Sequence, residues 1–161
     1  KKRGEVMFSR CMAIVLFAVC FGSYSGAQAA DCQGGRTHEI RMLNKSETDS
    51  KMKMVFDPSY LSAALGDCIS FIPTSKGHNA ETIKGMIPQG SKKFKSKINK
   101  EFTVKLEIEG LYGIKCKPHY QMGMIALIQV GEVSADDIKK AAKVKQRGKA
   151  KDRFKLLFAG L

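Results

Sequence analysis

Tyr112-Gly113-Ile114-Lys115-Cys116-Lys117-Pro118-His119-Tyr120-Gln121-Met122-Gly123-Met124 is the stretch that says most about how this chain folds and what it holds. Leu111 to Cys116 reads as one strand and Met124 to Val130 as the next. The short loop between them carries His119 three residues after Cys116 and Met124 eight residues after it. A loop anchored by strands at both ends can gather a thiolate, an imidazole and a thioether around one point.

Working outward, the same strand-and-turn rhythm continues. Glu39 to Leu43 and Lys51 to Phe56 alternate polar and apolar residues. Asp67 to Ile72 follows Gly66, and Phe102 to Ile108 precedes a turn at Gly110. Pro58 and Pro73 mark strand ends, because proline cannot donate to a ladder. Strands at close spacing with no helices between them predict a mainly β fold, a sandwich or barrel. The character changes at Gly131. Ser134 with Asp137 three residues later forms a capping box, and Asp136 and Asp137 suit the positive end of a helix. Ile138 to Val144 carries lysines on its outer positions, and Phe154, Leu157 and Phe158 recur at helical spacing after Gly148. Residues 134–161 therefore read as two amphipathic helices docked on the sheet, in preference to a basic arm for membrane or nucleic acid.

The 161 residues suit one domain, 43% of them hydrophobic and 27% charged. At the start, Lys1, Lys2, Arg3 and Arg10 precede an apolar run from Met12 to Gly22, and Ala27-Gln28-Ala29 follows with the small-x-small pattern that signal peptidase reads. Residues 1–29 are read as a secretory signal peptide, with Met7 as its initiator. The run is too short for a membrane span, which needs about 20 apolar residues. The mature domain is then 30–161, exported to the periplasm with no membrane anchor after cleavage. Residues 1–29 hold four of the 28 basic residues and one of the 15 acidic ones, so the remainder carries a net charge of +10. Such a surface favours acidic partners and speeds encounter with them. Nucleic acid is disfavoured by export, and by only four Tyr and no Trp for stacking.

The loop's donors need a fourth member, and only His38, His78 and His119 offer an imidazole. His78 is the stronger partner, since His38 lies near the mature N-terminus. Taken singly, a strand-end His or a lone Cys is a hydrogen-bonding or core residue more often than a ligand. Their joint spacing in an exported β protein reverses that weighting. A structural zinc site takes Cys and His and has little use for a thioether. An iron–sulfur cluster wants more thiolates than are present. Two His, one Cys and a weak axial Met describe blue copper.

At these residues, and at Gly77-His78-Asn79-Ala80-Glu81-Thr82-Ile83-Lys84-Gly85-Met86 and Met54-Val55-Phe56, the sequence resembles the cupredoxins over nearly all of the mature chain. The resemblance implies a Greek-key β-sandwich of about eight strands with two C-terminal α-helices. It implies one type 1 copper ion held by His78, Cys116 and His119 in a plane with Met124 axial, Met122 falling two residues short of the axial position. Asn79 is expected to steady the thiolate and the loop, and Met54 to lie near the His119 ring. The electron is expected to leave by the His119 edge, framed by Pro118, Met122 and Met86 and ringed by Lys76, Lys84, Lys115 and Lys117. The implied partners are acidic-faced redox proteins: a copper nitrite reductase, fed by c-type cytochromes. The protein is expected to be a monomer.

Two rival roles follow from the same residues. A copper carrier would have to release the ion, against the grain of a closed four-ligand site. An enzyme would need an open coordination position or a nucleophile–base pair, and neither is evident. Lys117 adds charge inside the ligand loop and is expected to raise the reduction potential. Cys32 and Cys68 remain after Cys116 is assigned to metal. An exported protein could join them, but an odd cysteine count and unknown geometry favour leaving them unpaired.

Overall fold

In the computed structural model of the chain, Tyr112, Ile114 and Cys116 stand on one side of a strand and Leu111 on the other, as a period of two requires. The structure describes Cys32 and residues 34–161, so the expected signal peptide at residues 1–29 lies outside the described residues. Eight strands form: β1 (Thr37–Lys45), β2 (Lys53–Asp57), β3 (Tyr60–Ala63), β4 (Cys68–Ile72), β5 (Glu81–Thr82), β6 (Phe102–Lys105), β7 (Gly110–Lys115) and β8 (Ile125–Val130). They build two four-stranded sheets, ordered β2-β1-β4-β6 and β3-β8-β7-β5. β1 runs parallel to β4 and β3 parallel to β8, so each sheet closes around a long crossover, as a Greek-key sandwich does. The six strands expected from patterning are all present. β3 and β5 were missed, being four and two residues long, too short to show a period.

The β7–β8 pair positions everything that follows. Gly110 lies opposite Val130 and Lys115 opposite Ile125. Tyr112, Ile114 and Cys116 therefore share the inner face with Met124, Ala126, Ile128 and Val130, packed against Ile40, Phe56, Ile69 and Phe71 of the other sheet. The outer face of the same pair is also buried, with Leu111, Ile125 and Leu127 under Ala141, Ala150 and Phe154. Burial on both faces is why β8 reads as an apolar run broken only at Gln129 rather than an alternating one.

The cover is supplied by α1 (Ala135–Ala142) and α2 (Lys149–Ala159). Ser134 caps α1, its hydroxyl accepting from the Asp137 amide at 3.1 Å, as the capping box predicts. α1 packs Ile138 and Ala141, and α2 packs Ala150, Phe154, Leu157 and Phe158, against the sheet, as expected of docked amphipathic elements. No described helix is long and apolar enough to cross a membrane.

One expectation is overturned. Cys32 and Cys68 form a disulfide, with Cα atoms 5.8 Å apart. The parallel register sets Thr37 beside Cys68, and the Cys68 amide donates to the Arg36 carbonyl at 2.8 Å, which lays the N-terminal segment along β4. That proximity is a product of long-range strand pairing and leaves no local mark in sequence.

Candidate metal centre

Cys116 is one residue beyond β7 and keeps the inward parity of Tyr112 and Ile114. Its amide donates to the Met124 carbonyl at 3.0 Å, so the ladder closes the base of the loop. The loop then folds on itself. The His119 amide donates to the Cys116 carbonyl at 3.2 Å, and the His119 carbonyl accepts from Met122 at 3.1 Å and Met124 at 3.2 Å. Tyr120–Met122 is a single 3-10 turn ended by Gly123 in a left-handed conformation. A tight, self-bonded loop is one whose side chains point in fixed directions.

His78 arrives from the loop after β4. Asn99 holds that approach from both sides, its Oδ1 accepting from the Gly77 amide at 2.5 Å and its amide donating to the His78 carbonyl at 2.9 Å. Gly77 has φ +94°, and a Cβ there would lie 3.7 Å from His119 Cε1. The position thus combines a backbone that favours glycine with close approach to a ring.

Three donor atoms converge. His78 Nδ1 and His119 Nδ1 are 3.1 Å apart, and Cys116 Sγ lies 3.7 Å from the first and 3.6 Å from the second. A point equidistant from all three is about 2 Å from each, close to the bonds a first-row metal makes to nitrogen and sulfur. This is the only cluster of metal-ligating His, Cys, Asp or Glu among the described residues. Met124 is fully buried in the same apolar cluster as Cys116. Thiolate and imidazole with a buried thioether close by suit copper.

The surroundings fix the ring and the charge states. Asn44 Oδ1 accepts from His78 Nε2 at 2.8 Å, which leaves Nδ1 with its lone pair toward the cluster. Burial, and secondarily the neighbouring His119, push the His78 imidazole down to about 4, so it is neutral near pH 7. Burial pushes the Cys116 thiol up, opposed by the Asn79 amide, so a thiolate here calls for a cation to meet it. Asn79 Oδ1 accepts from the Lys117 amide at 2.8 Å, tying the loop to the His78 segment.

The remaining expected residues fall into two groups. Lys76, Lys84 and Lys117 are exposed, as is Pro118, while Met122 is 46% exposed and His119 half-buried. Lys115 is half-buried, 3.3 Å from Glu81 and 5.4 Å above the Tyr120 ring. Met54 is half-buried at the edge of the core, with φ +52°. Met86 must be corrected: it is 1% exposed, packed in the core beneath the helices, and offers no surface to a partner. A methionine between turn residues reads as exposed until the helices that cover it are placed. Sequence reasoning missed Asn44, which in β1 looks like an ordinary outward residue. It also missed Ile98, 53% exposed beside Asn99 at this end of the molecule.

Comparison with known proteins agrees with this chemistry. Residues 42–131 match the family of copper binding proteins, plastocyanin/azurin. The chain is 46% identical over 118 residues to a pseudoazurin from Paracoccus pantotrophus, covering 73% of this chain and 79% of that one. It is 44% identical over 120 residues to a pseudoazurin from Methylorubrum extorquens, covering 74% and 78%. Among solved structures, the pseudoazurin of Methylobacterium extorquens AM1 superposes with a TM-score of 0.71 at 43% identity, covering 77% of this chain and 98% of that one. The pseudoazurin of Hyphomicrobium denitrificans gives 0.71 at 37% identity, covering 78% and 98%. With copper as its cofactor and electron transfer as its business, this chain belongs to the plastocyanin/azurin family, the cupredoxins, and within it groups with the pseudoazurins.

Proposed function

We propose that His78 Nδ1, Cys116 Sγ and His119 Nδ1 hold one type 1 copper ion, with Met124 as the weak axial ligand. The observation that carries this is the donor triangle, whose edges of 3.1, 3.6 and 3.7 Å suit one small ion. When bound, copper alternates between its +1 and +2 states and so stores one electron. The chain's own part is to change little as that happens. β7, β8 and the Asn44 and Asn79 hydrogen bonds hold the ligands in place. Four ligands leave no place for a substrate, which supports a carrier of electrons in preference to an enzyme.

The His119 edge is the proposed exit for the electron, with Pro118, Met122 and Ile98 as an apolar contact and Lys76, Lys84 and Lys117 around it. A small apolar contact ringed by charge suits brief encounters with acidic redox proteins, such as a copper nitrite reductase and c-type cytochromes. Residues 1–29 are the proposed signal peptide, and residues 30–161 the mature, monomeric periplasmic domain.

The test is a visible spectrum of residues 30–161 with Cu(II), before and after a mild reductant. An intense thiolate-to-copper band that bleaches and returns on reoxidation supports the assignment, and Cys116→Ser should abolish it. A parent protein with no such band would overturn it. Electron self-exchange faster than copper exchange would separate a shuttle from a copper carrier.

A further inference from the structure

The second half of the metal loop is touched by the C-terminal segment, in matching order. The Tyr120 hydroxyl bonds to Gln146 Oε1. Gln146 Nε2 donates in turn to the Val144 carbonyl at 3.0 Å and Met86 Sδ at 2.9 Å, so the amide is fixed from both ends. Next, Gly148 lies against the Gln121 carbonyl so closely that a Cβ would overlap it, and its φ of +57° with ψ of −148° is glycine territory. Finally, Arg153 in α2 donates through Nη1 to the Gly123 carbonyl at 2.6 Å and the Met54 carbonyl at 2.8 Å, and through Nη2 to the Lys53 carbonyl at 2.9 Å. Residues 120, 121 and 123 of the loop are thus met by residues 146, 148 and 153.

Arg153 is the informative member. Its hydrogen bonds go to main-chain carbonyls, and its planar fork of donors can hold several of them in a fixed arrangement. The Gly123 carbonyl belongs to the peptide plane that ends at the Met124 Cα. Because that plane is rigid, holding its oxygen places the Met124 Cα. The next plane is held by the Cys116 amide on the Met124 carbonyl at 3.0 Å, so the two together set the direction from which the side chain starts. The same guanidinium holds β2 at Met54, so loop, strand and helix meet on one group.

We propose that the C-terminal segment is a brace that sets the approach of Met124 to the metal, with Arg153 as its positioning residue. This rests on Met124 being the axial ligand. Weakening the axial ligand's support should alter the electronic character of the site, because the axial ligand tunes blue-copper potentials. Loss of an outer partner of this kind commonly lowers metal affinity by about 10–100-fold.

The experiment compares Arg153→Met, which keeps the aliphatic stem but loses every donor, with Arg153→Lys and with Phe158→Ala. Phe158 is a half-buried residue of α2 that stacks on Phe154, so its loss loosens the helix while every Arg153 donor stays in place. In the metal-free protein, Arg153→Met should speed amide exchange at Gly123 and Met124. Loaded with copper, it should change the shape of the thiolate-to-copper absorption, shift the reduction potential, and lose copper to a chelator about 10–100-fold more readily. Arg153→Lys should recover part of each effect. Phe158→Ala should lower the unfolding temperature and leave spectrum and potential as in the parent. A spectrum and copper affinity unchanged in Arg153→Met would overturn the brace while leaving the ligand assignment intact. Equal spectral shifts from Phe158→Ala would overturn Arg153's specific role. A parent without the band would overturn the ligand assignment itself, and the tuning of Met124 with it.

Discussion

At the scale of single residues, the site is a set of directions imposed on a few side chains. His78 is suited to hold a metal because Asn44 occupies its Nε2 and burial keeps it neutral. Asn44→Ala should release the ring and weaken copper binding by about 10–100-fold, measured by competition with a chelator. An unchanged affinity would mean that the loop at Gly77 alone sets the ring. Lys117 is exposed and adjacent to Cys116, where its positive charge opposes the gain of another on oxidation. Lys117→Ala should therefore lower the reduction potential, and a potential unchanged within error would count against any role for that charge. The closeness of Cys116 and His119 could be read from their spacing. Asn44 could not, since an asparagine in a half-exposed strand looks the same whether or not a ring lies across from it.

At the scale of elements, the far end of the sandwich is held by a different device. Asp67 is buried, and its carboxylate accepts from His38 at 2.7 Å, from the Arg36 amide at 2.8 Å and from the Ala64 amide at 3.0 Å. His38, and after it the Arg36 amide, hold this carboxyl below its ordinary value. A carboxyl lowered on folding contributes stability that is fully present above its unfolded pKa of about 4 and is lost as pH falls through the folded value. Asp67→Asn should cost about 1–3 kcal/mol in urea unfolding at pH 7, and its gap to the parent should close as the pH drops below about 4. A gap that stays constant with pH would show that the charge is irrelevant. Beside it, the Cys32–Cys68 disulfide spans 36 residues of sequence. Chain-entropy reasoning assigns such a link about 3–4 kcal/mol, so Cys32→Ala should lower the unfolding temperature without altering any copper spectrum. His38, the discarded imidazole of the sequence reading, thus works in this clamp.

For the whole molecule, the question is how its positive charge bears on encounter with partners. Lys76, Lys84 and Lys117 are exposed, His119 is half-buried, and Met122 and Ile98 add exposed apolar surface. If these lysines steer acidic partners, the second-order rate of electron transfer to an acidic acceptor should fall as ionic strength rises, since screening shortens the reach of charge to about 8 Å at physiological salt. A rate independent of salt would remove the lysines from the encounter and leave them as solubilising surface.

The tight Cys116–Met124 loop, the β-rich pattern, the capped helix α1 and the amphipathic helix α2 were legible in the chain itself. Each rests on spacing within a few residues: Cys116 to His119 to Met124, the inward parity of β7, Ser134 to Asp137. What tertiary structure alone decided are matters of long-range register. The β1–β4 pairing carried Cys32 to Cys68, the crossover brought Asn44 onto His78, and the helices buried Met86 while setting Arg153 on Gly123. None of these has a local signature, because partners 30 to 100 residues apart are chosen by which strands pair and which faces need covering, not by their own neighbours in sequence.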